Sequence, residues 1–269
     1  MDSKSIKLTT NKDKTFVINC TFSVDEIKAS YDKTITAIQA NFESKGFRKG
    51  KAPLNIVKEN VHEHHIIEEI LSSLISKAYS DIVTTNHLHP IVQPQVKVSN
   101  PPLELNKEWT VEVIGCELPV IELKKDYQED IKKINATATD DNDRLNQTIS
   151  SLIKNASVDV PQMLIKNDVD NKMSQLIDQT QQAGITVNSY LKSKNTTLEK
   201  YQEDLTTQIT QEWITNLAID HIAKTNELTI SDKEVDDVVS KNKELAKNLN
   251  LVYYLLTQQK VFEYLKNLK

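Results

Sequence analysis

In Gly46-Phe47-Arg48-Lys49-Gly50-Lys51-Ala52-Pro53, an apolar ring and two cations stand between two glycines. Lys45 and Lys51 add charge on either side. Arg48 can make paired, charge-assisted hydrogen bonds to a carboxylate or phosphate. Lys49 and Lys51 supply less directional charge, and Phe47 can bury its ring in an apolar pocket. This is the chemistry of docking rather than of bond making. An exposed basic turn would carry the same charges, but a large apolar ring left in water needs a reason.

The flanking residues predict how the stretch is held. Ser23 and Glu26 form a capping-box pattern. Ile27, Tyr31, Ile35, Ile38 and Phe42 then recur at spacings of three and four, an apolar stripe on a helix. Beyond the loop, Ile56, Val57 and Val61 begin a second helical pattern. Ile67, Ile70, Leu71, Leu74, Ala78 and Ile82 continue it, as one helix or as a separate longer one. The loop is therefore the tip of a helix–loop–helix. Gly46 and Gly50 allow backbone angles closed to other residues, and Pro53 suits the first turn of the following helix.

Around this hairpin the pattern has period two. Phe16, Ile18, Cys20 and Phe22 alternate with Val17, Asn19 and Thr21, which reads as a strand. Asn11-Lys12-Asp13 is a turn before it, and Ile6 and Leu8 mark a partner strand. Val96 with Val98, and Trp109, Val111 and Val113, read as two more strands; Asn86 to Pro90 and Pro101-Pro102 are breaks. The expected fold of residues 1–117 is α+β, an antiparallel sheet covered by helices with a protruding tip.

From 118 to 144 the composition turns polar and charged, and Asp140-Asp141-Asn142-Asp143 could start a turn or a helix. An extended connector with some helix at its end is the expectation, with disorder as the alternative. Residues 145–269 read as helical almost throughout. Ile149, Leu152 and Ile153 open the pattern. Asp159-Val160-Pro161 breaks it, Ile165, Val169, Met173 and Leu176 line one face, and Ala183-Gly184 closes that helix. A long helix from about Thr197 carries Leu198, Tyr201, Leu205, Ile209, Trp213 and Leu217. Ser231 and Glu234 form a second capping box. Val252, Leu255, Leu256, Phe262 and Leu265 mark the last helix.

The whole chain sets bounds on function. It has 269 residues, 26% charged and 38% apolar, which fits a soluble, helix-rich protein of about two domains. A net charge of −5 argues against a general nucleic-acid or membrane binder. No apolar run is long enough to span a bilayer, and Met1-Asp2-Ser3-Lys4-Ser5 lacks the apolar stretch of a signal peptide. Cys20 and Cys116 have no metal spacing; they are expected as buried thiols in a reducing cytosol, with a disulfide as the alternative.

Three enzymatic or metal readings fail on residue type. Gly46 to Lys51 superficially looks like a phosphate loop, but only three residues separate the glycines and Ala52 replaces the required hydroxyl. His62, His64 and His65 cluster, with His87 and His89 further on, yet no ligand set completes a zinc site. There is no nucleophile elbow and no H-E-x-x-H. No catalytic residue, cofactor or metal is expected.

The loop resembles the ribosome-binding signature of bacterial trigger factors, G-F-R-x-G-K-x-P, matched here at Gly46, Phe47, Arg48, Gly50, Lys51 and Pro53, with Lys49 at the variable position. Val158-Asp159-Val160-Pro161 with Leu164-Ile165, Lys224-Thr225-Asn226-Glu227-Leu228, and Ser240-Lys241-Asn242-Lys243-Glu244-Leu245 resemble stretches of that family's C-terminal chaperone domain, in the same order. The resemblance implies an elongated, cytoplasmic, ATP-independent chaperone. Its implied partners are the ribosomal protein beside the exit tunnel, nearby ribosomal RNA and unfolded or nascent polypeptides, with a homodimer off the ribosome and no DNA or membrane. Family members carry a prolyl-isomerase domain between these two parts. Here the first domain reaches Glu117 and the helical pattern resumes by about Leu145, which leaves no room for one. Competing expectations are a general RNA-binding or scaffold protein using the basic loop, residual isomerase activity, and a soluble chaperone without ribosome docking.

Overall fold

The computed structural model describes residues 6–242 and 244–268. Met1 to Ser5, where no signal peptide is expected, and Lys243 of the third family-like stretch lie outside them. The chain divides into two compact units, one ending at Leu118 and the other starting at Pro119.

In the first unit, strands β1 (Ile6–Thr10), β2 (Thr15–Phe22), β3 (Gln95–Val98) and β4 (Trp109–Cys116) form an antiparallel sheet in the order β1-β2-β4-β3. The β1–β2 turn is closed by Asp13, whose Oδ1 accepts from the Thr15 N–H at 3.0 Å and the Thr15 hydroxyl at 2.7 Å. Asp and Asn fit such turns because their short side chains reach the backbone two residues on. The period-two pattern then does its work. Phe16, Ile18, Cys20 and Phe22 of β2 lie on the same buried face as Trp109, Val111 and Val113 of β4. Fully burying a large apolar side chain contributes about 1.5–3 kcal/mol. The Trp109 indole N–H is not stranded by burial, because it donates to the Glu104 carbonyl at 2.9 Å.

Helices α1 (Val24–Asn41) and α3 (Glu63–Thr85) cover that face, with the short α2 (Leu54–Asn60) between them in the chain. The Ser23–Glu26 capping box opens α1, and Ile27 and Ile35 from its stripe are buried. An extended step at Val61 and His62 separates α2 from α3, so the pattern after the loop is two helices. The histidines sit on the exposed start of α3, where His64 Nε2 lies 3.2 Å from Glu68. Among the described residues no group of three or more His, Cys, Asp or Glu side chains could hold a metal ion.

Both cysteines are free and buried, so the disulfide alternative is corrected. The register gives the reason. Cys116 pairs with Thr15 while Cys20 pairs with Val111, so at ~3.4 Å per residue the thiols stand roughly 17 Å apart along the sheet. Burial pushes both thiols up to about 11. No helix among the described residues is long and apolar enough to cross a membrane.

The second unit is helical: α4 (Tyr127–Thr137), α5 (Asp141–Asn155), α6 (Gln162–Gln182), α7 (Val187–Ser193), α8 (Leu198–Thr225), α9 (Asp232–Lys241) and α10 (Leu249–Lys266). A two-strand ladder, β5 (Glu122–Leu123) with β6 (Ala156–Ser157), ties its beginning to the end of α5. The expectation of an extended connector over 118–144 needs correction here. Ile121 and Ile131 are buried with Leu152, Leu217, Ile222, Val261 and Leu265 in one core. α4 is mostly polar, but Tyr127, Ile131 and Ile134 face this core, and its Asn135 amide caps a neighbour. Asn135 Nδ2 donates to the Leu265 and Leu268 carbonyls at 2.9 and 3.1 Å, satisfying orphan acceptors at the end of α10. α7 has no counterpart in the sequence reading, although Val187, Tyr190 and Leu191 stand at helical spacing in it. A second core joins α6 to α8 through Ile165, Val169, Leu205 and Ile209.

One ion pair fastens α9 to α10. Lys260 Nζ lies 2.7 Å from Glu234 Oε1 and donates to the Thr229 carbonyl at 2.6 Å. Glu234 also closes the capping box with Ser231. The Lys260 hydrogen bond, then those from the Ser231 N–H and hydroxyl, lower the Glu234 carboxyl from 4.5 to about 2. A carboxyl whose folded value is depressed adds stability above its unfolded value and loses it as pH falls toward the folded one. Lys260→Met should therefore lower stability relative to wild type near neutral pH, with the gap closing between about pH 4.5 and 2. Urea melts of both proteins across that range test this; a gap constant with pH would contradict it.

Candidate docking site

The predicted site residues fall on one loop, between Phe42 and Pro53, that joins α1 to α2. Its shape follows from a few backbone bonds. The Gly50 N–H donates to the Phe42 carbonyl at 3.1 Å, closing the neck. Farther out, the Phe47 N–H donates to Ser44 and the Lys51 N–H to Arg48, at 3.1 and 2.9 Å. From the last turn of α1, Gln39 Nε2 reaches across to the Ala52 carbonyl at 2.7 Å. Ala52 itself is buried, which anchors the return strand of the loop to the core.

Gly46 and Gly50 have φ of +93° and +73°. Their surroundings differ. A Cβ on Gly46 would meet open space, whereas one on Gly50 would sit 2.7 Å from the Ala40 carbonyl oxygen. Gly50 is thus required twice, for its backbone angle and for the closeness of the neck to α1. Pro53 occupies the cap position before α2, with φ −57° and ψ 146°, rather than the first helical turn. Its missing N–H is harmless there too.

The neck presents Phe47 with 43% of its surface exposed. Arg48, Lys49, Lys45 and Lys51 are exposed around it. Among the described residues only Lys49 of these four approaches a carboxylate, Glu43 at 3.8 Å. An exposed pair at that distance is worth little, so the charge of the loop is left for something else. The arrangement can bury one ring and pair with several oxyanions. Gln39 and Phe42 were not legible as part of it. Gln39 reads as a polar position on a helix, and its partner, the Ala52 carbonyl, stands at the far end of the loop.

A second exposed apolar surface lies on the first half of α10, where Leu249, Leu251, Tyr253, Tyr254 and Leu255 are each at least 40% exposed. The Tyr254 hydroxyl donates to Asn216 Oδ1 at 2.8 Å, so its polar end is held while its ring faces solvent. Trp213 differs: it is half-buried, and its indole N–H donates to Asp168 Oδ2 at 2.8 Å, linking α8 to α6.

Alanine at Gly46 should cost about 1–2 kcal/mol from the left-handed backbone alone. Alanine at Gly50 should cost more, because the neck or the end of α1 must also move. Urea denaturation of the two variants checks the order; equal losses would show that the neck can relax.

The model of the family "Bacterial trigger factor protein (TF)" matches residues 4–152, and that of its C-terminus matches residues 120–268. The trigger factors of Streptococcus pyogenes serotype M5 (strain Manfredo) and serotype M1 are each 31% identical over 121 residues. That stretch is 45% of this chain and 28% of those relatives' length. The serotype M4 (strain MGAS10750) protein matches at the same identity over 26% of its length. The matched stretch is thus under a third of these curated relatives. A solved chain described as "Promiscuous Substrate Recognition in Folding and Assembly Activities of the Trigger Factor Chaperone" superposes with a TM-score of 0.63 at 12% identity. The superposition covers 98% of this chain and 100% of that one, a likeness of fold. Two family models, each spanning more than half of the sequence, place this chain in the bacterial trigger factor family.

Proposed function

We propose that this protein is an ATP-independent, cytoplasmic chaperone that docks on the ribosome beside the exit tunnel and shields emerging polypeptides. The observation that carries the reading is the exposed Phe47 ring among cations that the fold leaves almost unpaired. On a docked partner the ring enters an apolar pocket, while Arg48 and its neighbouring lysines pair with carboxylates of a ribosomal protein and phosphates of nearby ribosomal RNA. The helical unit supplies the client surface. The exposed leucines and tyrosines of α10 offer weak apolar contacts without sequence selection, so a client can leave without ATP. Pairing of two chains off the ribosome, through the same exposed surfaces, belongs to this reading.

No isomerase activity is assigned. The two family matches run into each other over residues 120–152, and residues 121 to 131 already serve the helical unit's own core. A proline-containing peptide should isomerise at the uncatalysed rate in the presence of the protein; a rate above background would overturn that assignment.

Replacing Phe47, Arg48 and Lys49 together by alanine should abolish sedimentation with ribosomes through a sucrose cushion, with the melting temperature unchanged. Sedimentation like wild type would refute docking through this loop. Phe47→Ala alone separates the RNA-binding alternative. An RNA binder would tolerate it and show a steep salt dependence, whereas protein docking loses most of its affinity with the ring.

A further inference from the structure

One residue holds both strands of the loop's neck. The Gln39 carbonyl, in the last turn of α1, accepts the Phe42 N–H of the outgoing chain at 3.1 Å. Its side-chain Nε2 donates to the Ala52 carbonyl of the returning chain, thirteen residues on, at 2.7 Å. The other neck bond, from the Gly50 N–H to the Phe42 carbonyl, joins two points that both lie outside the helix, since α1 ends at Asn41. Gln39 is therefore the polar tie between the returning chain and a rigid element. That chain has little else to offer. Pro53 has no N–H, and the Lys51 N–H is engaged by the Arg48 carbonyl within the loop. What meets Gln39 is a carbonyl, and only a donor can hold it; an ionised glutamate, which only accepts, could not.

We infer that Gln39 is a positioning residue for docking: it touches no ribosomal group, and it sets the fraction of molecules whose loop stands in the shape that docks. The inference rests on the proposed ribosome docking through Phe47 and Arg48. Ring and cations reach their partners together only when the neck is closed, because an open loop spreads them over many arrangements. Binding must then order the loop, which weakens it. A partner that takes the closed form alone sees an affinity reduced in proportion to the closed fraction. The buried Ala52 side chain keeps that point of the chain near the core, but apolar contact is non-directional. The amide–carbonyl bond fixes the angle at which the chain returns.

Gln39→Met and Gln39→Ala test this, since both favour helix and leave the charge of the loop unchanged. Each should bind ribosomes roughly fivefold more weakly. On immobilised ribosomes the loss should lie in slower association, with the dissociation rate unchanged. In amide hydrogen exchange, Phe47, Gly50 and Lys51 should exchange faster than in wild type, and β2 and β4 at the wild-type rate. Faster dissociation instead would make Gln39 a direct contact and overturn the inference. Wild-type rates in both variants, while the loop alanine triple variant no longer binds, would overturn it and leave loop docking standing. Faster exchange throughout the first unit would show a general loss of stability and overturn it too. If the triple variant binds like wild type, loop docking itself falls and the inference falls with it.

Discussion

The closure at the neck of the loop is the constraint on which the docking surface depends. Phe47 gains nothing within this chain from standing in water, so the energy that keeps it there must come from elsewhere. It comes from both sides of the neck. Ile27 and Ile35 fix α1 to the sheet, and Ala52 and Val57 fix the returning chain. The residues between have only to meet across a gap that the Gly50 N–H, the Phe42 carbonyl and the Gln39 amide span. The core of the first unit thereby holds a local conformation that would be unfavourable in isolation. Glycine at 50 is part of that closure, because the chain passes too close to α1 for any side chain.

The second unit solves a different problem. Its helices are polar over much of their surface; α8 and α6 carry most of the core residues, and α4, α9 and α10 add fewer. α4 contributes Ile131 and the amide of Asn135; α10 contributes Val261, Leu265 and the amine of Lys260. Polar contacts at helix ends thus supplement sparse apolar burial. The first half of α10 buries Val252 but little else, which allows its leucines and tyrosines to face outward. A helix fully committed to packing could offer no such surface.

The strongly periodic segments were legible because period reports burial directly. β2 and β4 alternate, α1 carries a stripe, and the capping boxes at Ser23 and Ser231 mark their helix starts with specific side-chain chemistry. Where apolar residues are sparse, periodicity gives little. α4 does carry a stripe, Tyr127, Ile131 and Ile134 at helical spacing, but the many charges around it read as connector, and the short β5–β6 ladder has too few residues to alternate. Leu255 reads as a member of an apolar pattern although it is 43% exposed. The sequence shows that a residue is apolar but not whether a neighbour covers it.

By itself the amino-acid order determined the four strands of the first sheet, the longer helices, the family and the loop, since each leaves a period or motif among residues close in the chain. Only the tertiary structure decided that the thiols lie far apart, that the polar stretch after Leu118 belongs to the helical core, and that Gln39 and Phe42 secure the loop. These are relations between segments distant in sequence. They depend on which surfaces meet after collapse, a quantity set by summed burial and backbone pairing across the whole unit rather than by any one stretch.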